Sequence, residues 1–482
     1  GVIAKEEKYK RKELVELLED IAKLSQVRGK DSSGIAYRFE SVQSLEVLRG
    51  PVSIDELLQT NDYNKLKQSI IKETKTNTNK IFAALGHARL VTNGTQLKDN
   101  NNQPVIKDGI VGVHNGIIVN EAKLWTKYND LKREYEIDTE ILFTLIRKFI
   151  NQGLSTIQSC IKASAQTEGT VSIGFMLNDR DEFIVFTNNG SLYILTNHKD
   201  IFIFSSEKNI LNQLIKKNLL PFSNELIIKQ VSANNGYHLN YSDFNLIEFN
   251  TNSDDHLKYN STITGQFKIS INNYHPAKEQ LNAVIDPEKF KINIAANSER
   301  DLLEYNIDRI SKLKRCTKCL LPETFPFIEY DENGVCNICN NYVKKNKPRS
   351  IDELQNLVEP YRKKNGEPDC LVPFSGGRDS TYTLHIVKNV LKMNPIAFTY
   401  DWGMVTDLAR RNIARVTGKL GVENIIVSAD IKKKREYIKK NIIAWLKNPH
   451  LGMVPLFMAG DKSFHYYLNK LKKQLGINLN IW

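Results

Sequence analysis

The sequence lacks the features that would place it in a membrane or outside the cell. It has no run of about 18 apolar residues, which excludes an ordinary membrane-spanning helix. Its N-terminus, GVIAKEEKYKRK, is charged from Lys5 onward, so it is not a secretory signal peptide. Cysteine is scarce, with 6 residues in 482. We therefore expect a cytoplasmic protein without membrane contact, whose paired cysteines bind metal rather than form disulfides.

The composition is that of a globular chain with more than one domain. Hydrophobic residues make up 41% and charged residues 25%, which disfavours disorder, and 482 residues exceed what one core usually holds. The net charge of +12 is concentrated in residues 301–482, which hold 30 basic and 19 acidic side chains. This excess suits an anionic ligand such as a nucleotide, a sugar nucleotide or RNA, although scattered lysines also occur on solvated faces.

Hydrophobic periodicity divides the chain into two patterns. In residues 1–250, short β-type runs such as Ile201–Ser205 alternate with helical stretches, including Lys12–Leu24 and Thr139–Asn151, which predicts an α+β domain with a large antiparallel component. From Asp369 the order is strand, helix, strand, helix, strand, which predicts a doubly wound parallel α/β sheet with ligands at the carboxyl ends of its strands. The first helix of this pattern is predicted over Ser380–Met393. We assign 251–313 to a connecting segment that ends in a short helical stretch over 299–313, 314–345 to a cysteine segment and 346–482 to the parallel domain.

The turn after the first predicted parallel strand has the composition of a phosphate-binding loop. It follows the strand Cys370–Phe374 and reads Ser375-Gly376-Gly377-Arg378-Asp379-Ser380. Two glycines let backbone amides approach a phosphate, and the positive end of the following helix stabilises its charge. The serine hydroxyls add donors, and Asp379 can hold Mg²⁺ on pyrophosphate. Neither GxxxxGK[ST] nor GxGxxG occurs here, which disfavours the nucleotide-binding classes that carry those motifs.

This loop resembles the PP-loop of ATP pyrophosphatases, whose usual form is SGGxDS. The resemblance implies that residues 375–380 bind ATP. Enzymes of this family cleave ATP between its α and β phosphates and adenylate an oxygen of the acceptor.

Four of the cysteines form two CxxC pairs, Cys316/Cys319 and Cys336/Cys339. Each CxxC turn presents two thiolates, and two such turns complete a tetrahedral site without an open position, so the sequence predicts a structural zinc ion. Cys160 and Cys370 are expected in the core.

The cysteine segment, with its PETFP spacer and the loop that follows, resembles the N-acetyl sugar amidotransferases over roughly residues 314–482. Those enzymes convert an acetamido group of a sugar into an acetamidine during the synthesis of bacterial surface glycans. The C-terminal portion of that family has no counterpart here, so we expect the domain to continue beyond Trp482.

Four phrases in the N-terminal region carry a second resemblance. They are RGKDSSG (28–34), GHARLVTNG (86–94), HNGII (114–118) and DTE (138–140). In this order they resemble the class II glutamine amidotransferase domain, an N-terminal-nucleophile hydrolase fold, as in the glutaminase half of glucosamine-6-phosphate synthases. The resemblance covers about residues 1–250.

The resemblance implies a role for five residues of the N-terminal region. Arg89 and Thr92 would hold the α-carboxylate of glutamine, and Asp138 would hold its α-ammonium group. Asn115 and the N–H of Gly116 would form the oxyanion hole.

Two positions depart from the pattern of that family. Its nucleophile is an N-terminal cysteine, and members commonly begin Cys-Gly-Ile-hydrophobic-Gly. Gly1 aligns with the fifth residue of that start, so we expect four residues to precede Gly1. Asn93 stands where related sugar-phosphate enzymes often carry a histidine.

Together the two resemblances imply a glutamine-dependent amidotransferase. It would use ATP, releasing AMP and pyrophosphate, to convert the acetamido group of an N-acetyl sugar or sugar nucleotide into an acetamidine, with ammonia passing internally between the domains. Three alternatives stay open: amidation of a carboxylate as in asparagine synthetase, modification of tRNA by a PP-loop enzyme, and a non-catalytic binding module. Nucleic acid is the less favoured partner. The sequence does not decide the sugar, its carrier or whether a homo-oligomer forms.

Overall fold

A computed structural model describes residues 1–26, 29–39, 43–73, 81–89, 95–217, 226–252, 268–276, 306–343, 349–428, 430–447 and 461–482. These residues form two compact units. The first contains the described residues up to 276 together with 360–428 and 467–482, and the second contains those of 306–359 and 430–466. Among all of them, no helix combines the length and the apolar character needed to cross a membrane.

Two sheets form the N-terminal part of the first unit. Their strands are β1 (Val2–Lys5), β2 (Ser32–Phe39), β3 (Ser44–Gly50), β4 (Ile81–Arg89), β5 (Val105–Lys107), β6 (Ile110–Ile118), β7 (Gly169–Leu177), β8 (Glu182–Thr187), β9 (Tyr193–Thr196), β10 (Ile201–Ser205), β11 (Ile227–Gln230), β12 (Asn235–Asn240), β13 (Leu246–Asn250) and β14 (Ser270–Tyr274). Within the described residues, one sheet has eight strands in the order β11-β9-β10-β1-β4-β2-β3-β14. The other has six, in the order β13-β12-β8-β7-β6-β5. Neighbours run antiparallel except β3 and β14, which are parallel.

Helices cover the outer face of each sheet. They are α1 (Arg11–Ser25), α2 (Ile54–Gln59), α3 (Asn61–Lys72), α4 (Glu121–Lys127), α5 (Thr139–Asn151), α6 (Thr156–Ser164) and α7 (Lys208–Lys216). Apolar residues of α1, α2, α3 and α7 share a core with the eight-stranded sheet, and those of α4, α5 and α6 share one with the six-stranded sheet.

Strand alternation explains how the two sheets pack together. In β1, Val2 and Ala4 belong to the core beneath the helices, whereas Ile3 between them belongs to a core shared with Phe183 of the other sheet. Successive side chains of a strand point to opposite faces, so a continuous apolar run fits a strand that is covered on both sides. The result is a four-layer order of helices, sheet, sheet and helices.

Part of the predicted connecting segment belongs to this architecture. Residues Ser270–Tyr274 pair with Ser44–Leu48 and extend the eight-stranded sheet as its edge strand β14. Their polar composition indicated a linker, but an edge strand can form through main-chain hydrogen bonds while its side chains stay polar. The helix predicted over 299–313 spans Ile307–Ser311, and residues 299–305 lie outside the described ranges.

The later elements include a parallel sheet of four described strands. These are β15 (Cys370–Pro373), β16 (Pro395–Asp401), β17 (Asn424–Ser428) and β18 (Leu479–Asn480), in the order β17-β16-β15-β18. The later helices are α8 (Ile307–Ser311), α9 (Asn337–Asn340), α10 (Ile351–Val358), α11 (Arg378–His385), α12 (Asp407–Leu420), α13 (Ile431–Lys447) and α14 (Asp461–Leu475). Strand β15 comes first in the chain but lies inside the sheet, so the strand order reverses there, as in doubly wound sheets. Helix α13 belongs to the second unit, although residues 346–482 were assigned to one domain.

Helix α12 packs against the N-terminal sheets through a contact between two glycines. A Cβ atom at Gly418 would lie 1.9 Å from the carbonyl oxygen of Gly169, at the start of β7. One turn earlier in the helix, Ala414 packs against Ile117 at the end of β6. The parallel sheet and the six-stranded sheet are therefore joined at a position where no side chain fits.

We expect Gly418→Ala to lower the free energy of unfolding by about 1–3 kcal/mol, because the added methyl group overpacks a backbone contact. Helix propensity alone predicts the opposite sign, since alanine is about 1 kcal/mol more favourable than glycine inside a helix. Lys419→Ala, at the exposed neighbouring position, is the matched control. Urea denaturation followed by circular dichroism measures both variants. A Gly418→Ala protein as stable as the wild type would contradict the contact.

Candidate functional site

Four residues predicted to bind or process glutamine line one cavity of about 120 Å³. They are Arg89 at the end of β4, Asn115 and Gly116 in β6, and Asp138 directly before α5. The volume is that of a small polar ligand rather than of a single water molecule. Arg89 and Asp138 are each 5% exposed, whereas Asn115 is exposed. Thr92, the fifth predicted residue, lies outside the described residues.

Arg89 and Asp138 are close enough to influence each other electrostatically. Burial lowers the pKa of the Arg89 guanidinium, and the charges of Asp138 and Asp31 act in the opposite direction. Arg89 Nη1 donates to the carbonyl of Asn101 at 2.8 Å, and the N–H of Ile118 donates to the Asp138 carboxylate at 2.6 Å. The cavity therefore presents a cation and an anion together, as binding of a zwitterionic amino acid requires.

Two histidines lie beside these charges. His114 Nε2 is 3.2 Å from the carbonyl oxygen of Thr170 and carries the proton, because a carbonyl can only accept. His114 Nδ1 is 3.0 Å from the hydroxyl of Thr139, the first residue of α5. Burial, together with the nearby Arg89 and His114, lowers the pKa of His87 to about 3. His87 is therefore neutral at working pH and adds no positive charge to the cavity.

The opposite wall of the cavity comes from the parallel sheet and α12. Its residues include Asp401, Arg410, Ile413, Ala414, Thr417 and Ile426. Arg410 donates to the Asp401 carboxylate at 2.7 Å. No motif marked these residues in the sequence, because spacing does not reveal that α12 faces β6 and β7.

The segment Asn-Asn-Gln-Pro (101–104) also contributes residues that no motif indicated. Gln103 lines the cavity, and its side-chain amide makes two hydrogen bonds to the backbone of His114. It accepts from the N–H of His114 at 2.7 Å and donates to its carbonyl at 2.9 Å. The only signal in the sequence was the run of amide side chains before Pro104, between the second and third phrases.

The predicted phosphate loop has the expected strand–loop–helix geometry. It joins β15 to α11, whose N-cap is Gly377. Gly376 has a φ of 75°, a conformation that L-residues with side chains rarely adopt. Ser375 Oγ and Ser380 Oγ are 3.1 Å apart, and the N–H of Ser375 donates to Ser380 Oγ at 3.3 Å. Both hydroxyls therefore lie at the mouth of the loop with the first amides of the helix.

The phosphate loop packs against α12, which lines the cavity, but the loop itself does not line the cavity. None of the residues 375–380, all of which the structure describes, belongs to the cavity wall. A Cβ atom at Gly376 would lie 2.8 Å from the carbonyl oxygen of Ala409 and 2.9 Å from Cγ1 of Ile413, which lines the cavity. Arg378 and Asp379 are exposed and form an ion pair at 3.1 Å.

The comparison with protein families agrees with the geometry of the cavity. Residues 87–213 match the family described as a glutamine amidotransferase domain. The chain carries a class II glutamine amidotransferase domain. This match confirms the predicted N-terminal-nucleophile hydrolase-like fold, whose two sheets lie between layers of helices.

The relatives of this amidotransferase domain cover only part of the chain. Its sequence is 31% identical over 178 residues to the glutamine–fructose-6-phosphate aminotransferase (isomerizing) of Bacillus subtilis, covering 36% of this chain and 27% of that protein. The corresponding protein of Staphylococcus aureus is 29% identical over 188 residues, covering 37% and 28%. A solved structure of the glutamine phosphoribosylpyrophosphate amidotransferase of B. subtilis, complexed with ADP and GMP, is 18% identical, with a TM-score of 0.37 over 52% of this chain and 49% of that chain.

The predicted metal ligands form a compact cluster in the second unit. The sulfur atoms of Cys316, Cys319, Cys336 and Cys339 all lie within 4.8 Å of one another. The Sγ atoms of Cys316 and Cys339 are 3.9 Å apart, and those of Cys319 and Cys336 are 3.6 Å apart. Zinc–sulfur bonds of about 2.3 Å in a tetrahedron place sulfurs about 3.8 Å apart, so the cluster fits zinc.

The electrostatics of the four thiols favour a cation at the centre. Desolvation raises the pKa of Cys316, but the N–H groups of Cys319, Cys336 and Lys318 outweigh it and lower that pKa to about 6. Contact with the sulfur of Cys319, followed by desolvation and the other sulfurs, raises the pKa of Cys339 to about 12. Four adjacent thiols therefore do not ionise together unless a positive ion neutralises them.

We expect the purified protein to contain one zinc ion per chain, measured by inductively coupled plasma mass spectrometry. Cys319→Ser should lower the zinc content and destabilise the second unit, because the binding free energy of a structural zinc is largely folding free energy. Cys160→Ser, which changes a buried cysteine of the six-stranded sheet's helical core, should retain the zinc. A zinc-free wild-type protein would contradict the assignment, as would full zinc content in Cys319→Ser.

Proposed function

We propose that the protein transfers ammonia from glutamine to an acceptor that ATP activates. The observation that carries the proposal is the shared cavity. One of its walls holds Arg89, Asn115 and Asp138, and the other belongs to the parallel sheet that carries the phosphate loop. In this proposal Arg89 and Asp138 hold the α-carboxylate and α-ammonium groups of glutamine, and Thr92 assists Arg89.

The first half-reaction hydrolyses glutamine to glutamate and ammonia. In this family the nucleophile is an N-terminal cysteine, whose α-amino group acts as the base. The amide oxygen of glutamine becomes negatively charged in the tetrahedral intermediate. Asn115 and the N–H of Gly116 would stabilise that charge as the oxyanion hole.

The cavity suits the movement of neutral ammonia. Where α12 meets β6, its wall is apolar and includes Ile117, Ile413, Ala414 and Ile426. An apolar wall disfavours ammonium, because a charge loses its hydration there, and so favours the neutral nucleophile. Ile413 lines the cavity and also packs beside Gly376 of the phosphate loop, so the cavity and the loop are neighbours at this residue.

The second half-reaction activates an amide. Residues 375–380 would bind the phosphates of ATP, with Asp379 holding Mg²⁺ on the leaving pyrophosphate. The amide oxygen of an N-acetyl sugar or sugar nucleotide attacks the α-phosphate and releases pyrophosphate. Ammonia then adds to the imidate carbon, AMP leaves with the oxygen, and an acetamidine remains. Adenylation is needed because an amide oxygen is a poor leaving group.

Arg89→Ala and Asp379→Asn should remove different half-reactions. Arg89→Ala should weaken glutamine binding roughly a hundredfold, because a bidentate charge-assisted pair is worth about 3 kcal/mol. Product formation from ammonium salt should survive in that variant. Asp379→Asn should slow ATP-to-AMP conversion about a hundredfold or more with either nitrogen source, because a metal contact to the leaving group is lost. Calorimetry measures the first effect, and pyrophosphate release measures the second.

The choice of acceptor in the same assay tests the reaction class. We expect pyrophosphate release to depend on an N-acetyl sugar or its nucleotide. Release with aspartate instead would indicate amidation of a carboxylate, and release with tRNA would indicate a nucleic-acid enzyme. No release with any of these acceptors would contradict the ATP-dependent half-reaction.

Ala414→Leu should uncouple the two half-reactions, because the larger side chain fills the apolar wall between them. In protein carrying the Cys-led N-terminus expected from the family, glutamine hydrolysis should continue while the yield of product per glutamate falls. Activity with ammonium salt should persist. Arg415→Leu, which places the same side chain at the exposed neighbouring position, is the matched control. An unchanged yield of product per glutamate in Ala414→Leu would rule out this route for ammonia.

A further inference from the structure

Asn101 connects the chain segments that carry Arg89 and Asp138, the two charged residues of the cavity proposed to bind glutamine. It lies in the turn between β4 and β5, and its side chain is almost completely buried, with 1% exposure. Its carbonyl oxygen accepts from Arg89 Nη1 at 2.8 Å. Its side-chain amide contacts the neighbouring segment, where Nδ2 donates to Glu136 Oε2 at 3.0 Å and Oδ1 accepts from the N–H of Glu136 at 3.2 Å. Nδ2 also donates to the carbonyl of Thr95 at 2.9 Å, within the same turn.

Glu136 belongs to the segment that carries Asp138 into the cavity. Ile137, between them, is buried and lines the cavity beside Asp138. The contact with Asn101 is reciprocal, since each residue both donates and accepts, so it fixes the separation and the orientation of the two chain segments. Lys98, followed by Asn101, lowers the pKa of the Glu136 carboxyl, so that group stays an acceptor at neutral pH.

Each of the two segments is fixed independently on its far side. Buried Arg49 donates to the carbonyls of Asn102 at 2.7 Å and Pro104 at 2.8 Å, which holds the turn that contains Asn101. Glu140 accepts from the N–H groups of Glu134 at 2.7 Å and Tyr135 at 2.8 Å, which holds the segment that contains Glu136. The hydrogen bonds between Asn101 and Glu136 join these two fixed segments directly, beside an exposed ion pair between Lys98 and the same carboxylate.

We propose that Asn101, through Glu136, is a positioning residue that sets the spacing between Arg89 and Asp138. That spacing would select a ligand with an α-carboxylate next to an α-ammonium group, and so would discriminate glutamine from amides that lack the amino group. The proposal rests on the proposed binding of glutamine by Arg89 and Asp138. Asn101 itself touches neither ligand group in this arrangement, because its polar atoms are directed to protein partners.

The test replaces the hydrogen-bond donor in the contact between Asn101 and Glu136 by an acceptor. Asn101→Asp places two carboxylates opposite each other and should weaken L-glutamine binding about tenfold, the usual cost of losing a hydrogen bond to a charged group. Binding of glutaramate, which is glutamine without its amino group, should change much less. Adding Glu136→Gln should recover part of the lost affinity, because an amide again faces a carboxylate while the hydrogen bond to the Thr95 carbonyl stays lost. Glu136→Gln alone should bind nearly as the wild type.

The matched control removes Lys98, which also contacts the carboxylate of Glu136. Lys98 forms an exposed ion pair with Glu136, and such pairs contribute little, so Lys98→Met should leave glutamine binding unchanged. Calorimetry with both ligands and thermal unfolding of each variant provide the measurements. Wild-type affinity in Asn101→Asp would overturn the inference. An equal loss of both ligands, with no recovery in the double variant, would also overturn it and indicate a purely structural role. If the wild-type protein does not bind glutamine at all, the proposed function fails rather than this inference.

Discussion

Helix α12 reaches the strands of the amidotransferase domain because Gly418 carries no side chain where the helix meets the backbone of Gly169. The backbones meet at that point, and every nearby contact depends on the resulting distance. Ala414 can then pack on Ile117, one position after the glycine of the proposed oxyanion hole. The same helix face closes the cavity over Arg89, Asn115 and Asp138. A side chain at Gly418 would meet the carbonyl oxygen of Gly169 and push α12 away from β7, whereas a side chain at Gly169 would meet the carbonyl oxygen of Ile117 within its own sheet.

A buried carboxylate strengthens this junction and limits how the two parts can be oriented. Glu423, three residues after the end of α12, is 3% exposed and accepts from the hydroxyl of Tyr193 at 2.5 Å and from Gln230 Nε2 at 3.3 Å. A buried carboxylate is costly unless its partners are in place, so an alternative orientation of the parallel sheet would leave that charge unpaired. Apolar packing thus provides the contact, and the hydrogen bonds to Glu423 select one geometry for it.

Elements with regular apolar patterns were predictable from the sequence. The helix predicted over Thr139–Asn151 and the strand over Ile201–Ser205 have those bounds in the structure. Both are strongly apolar segments that are buried along almost their whole length. Strand β14 could not be predicted, since its polar sequence, Ser270–Tyr274, forms a strand only by pairing with the edge offered by β3. The helix predicted from Ser380 to Met393 starts two residues earlier and changes to a π-helical turn at Ile386–Val390. Propensity does not distinguish such local hydrogen-bond registers.

The sequence by itself determined the chemistry that is available: the amidotransferase phrases, the four cysteines and the SGGRDS loop. Each of these is a short local pattern, in which residue type and spacing predict a class of ligand. Only the tertiary structure decided which groups act together. Arg89, Asn115 and Asp138 come from three separate elements, and the other wall of their cavity is formed some 300 residues later in the chain by α12. Asn101 was not marked by any motif because its importance lies in two hydrogen bonds to distant segments, and long-range contacts of that kind have no fixed spacing in sequence.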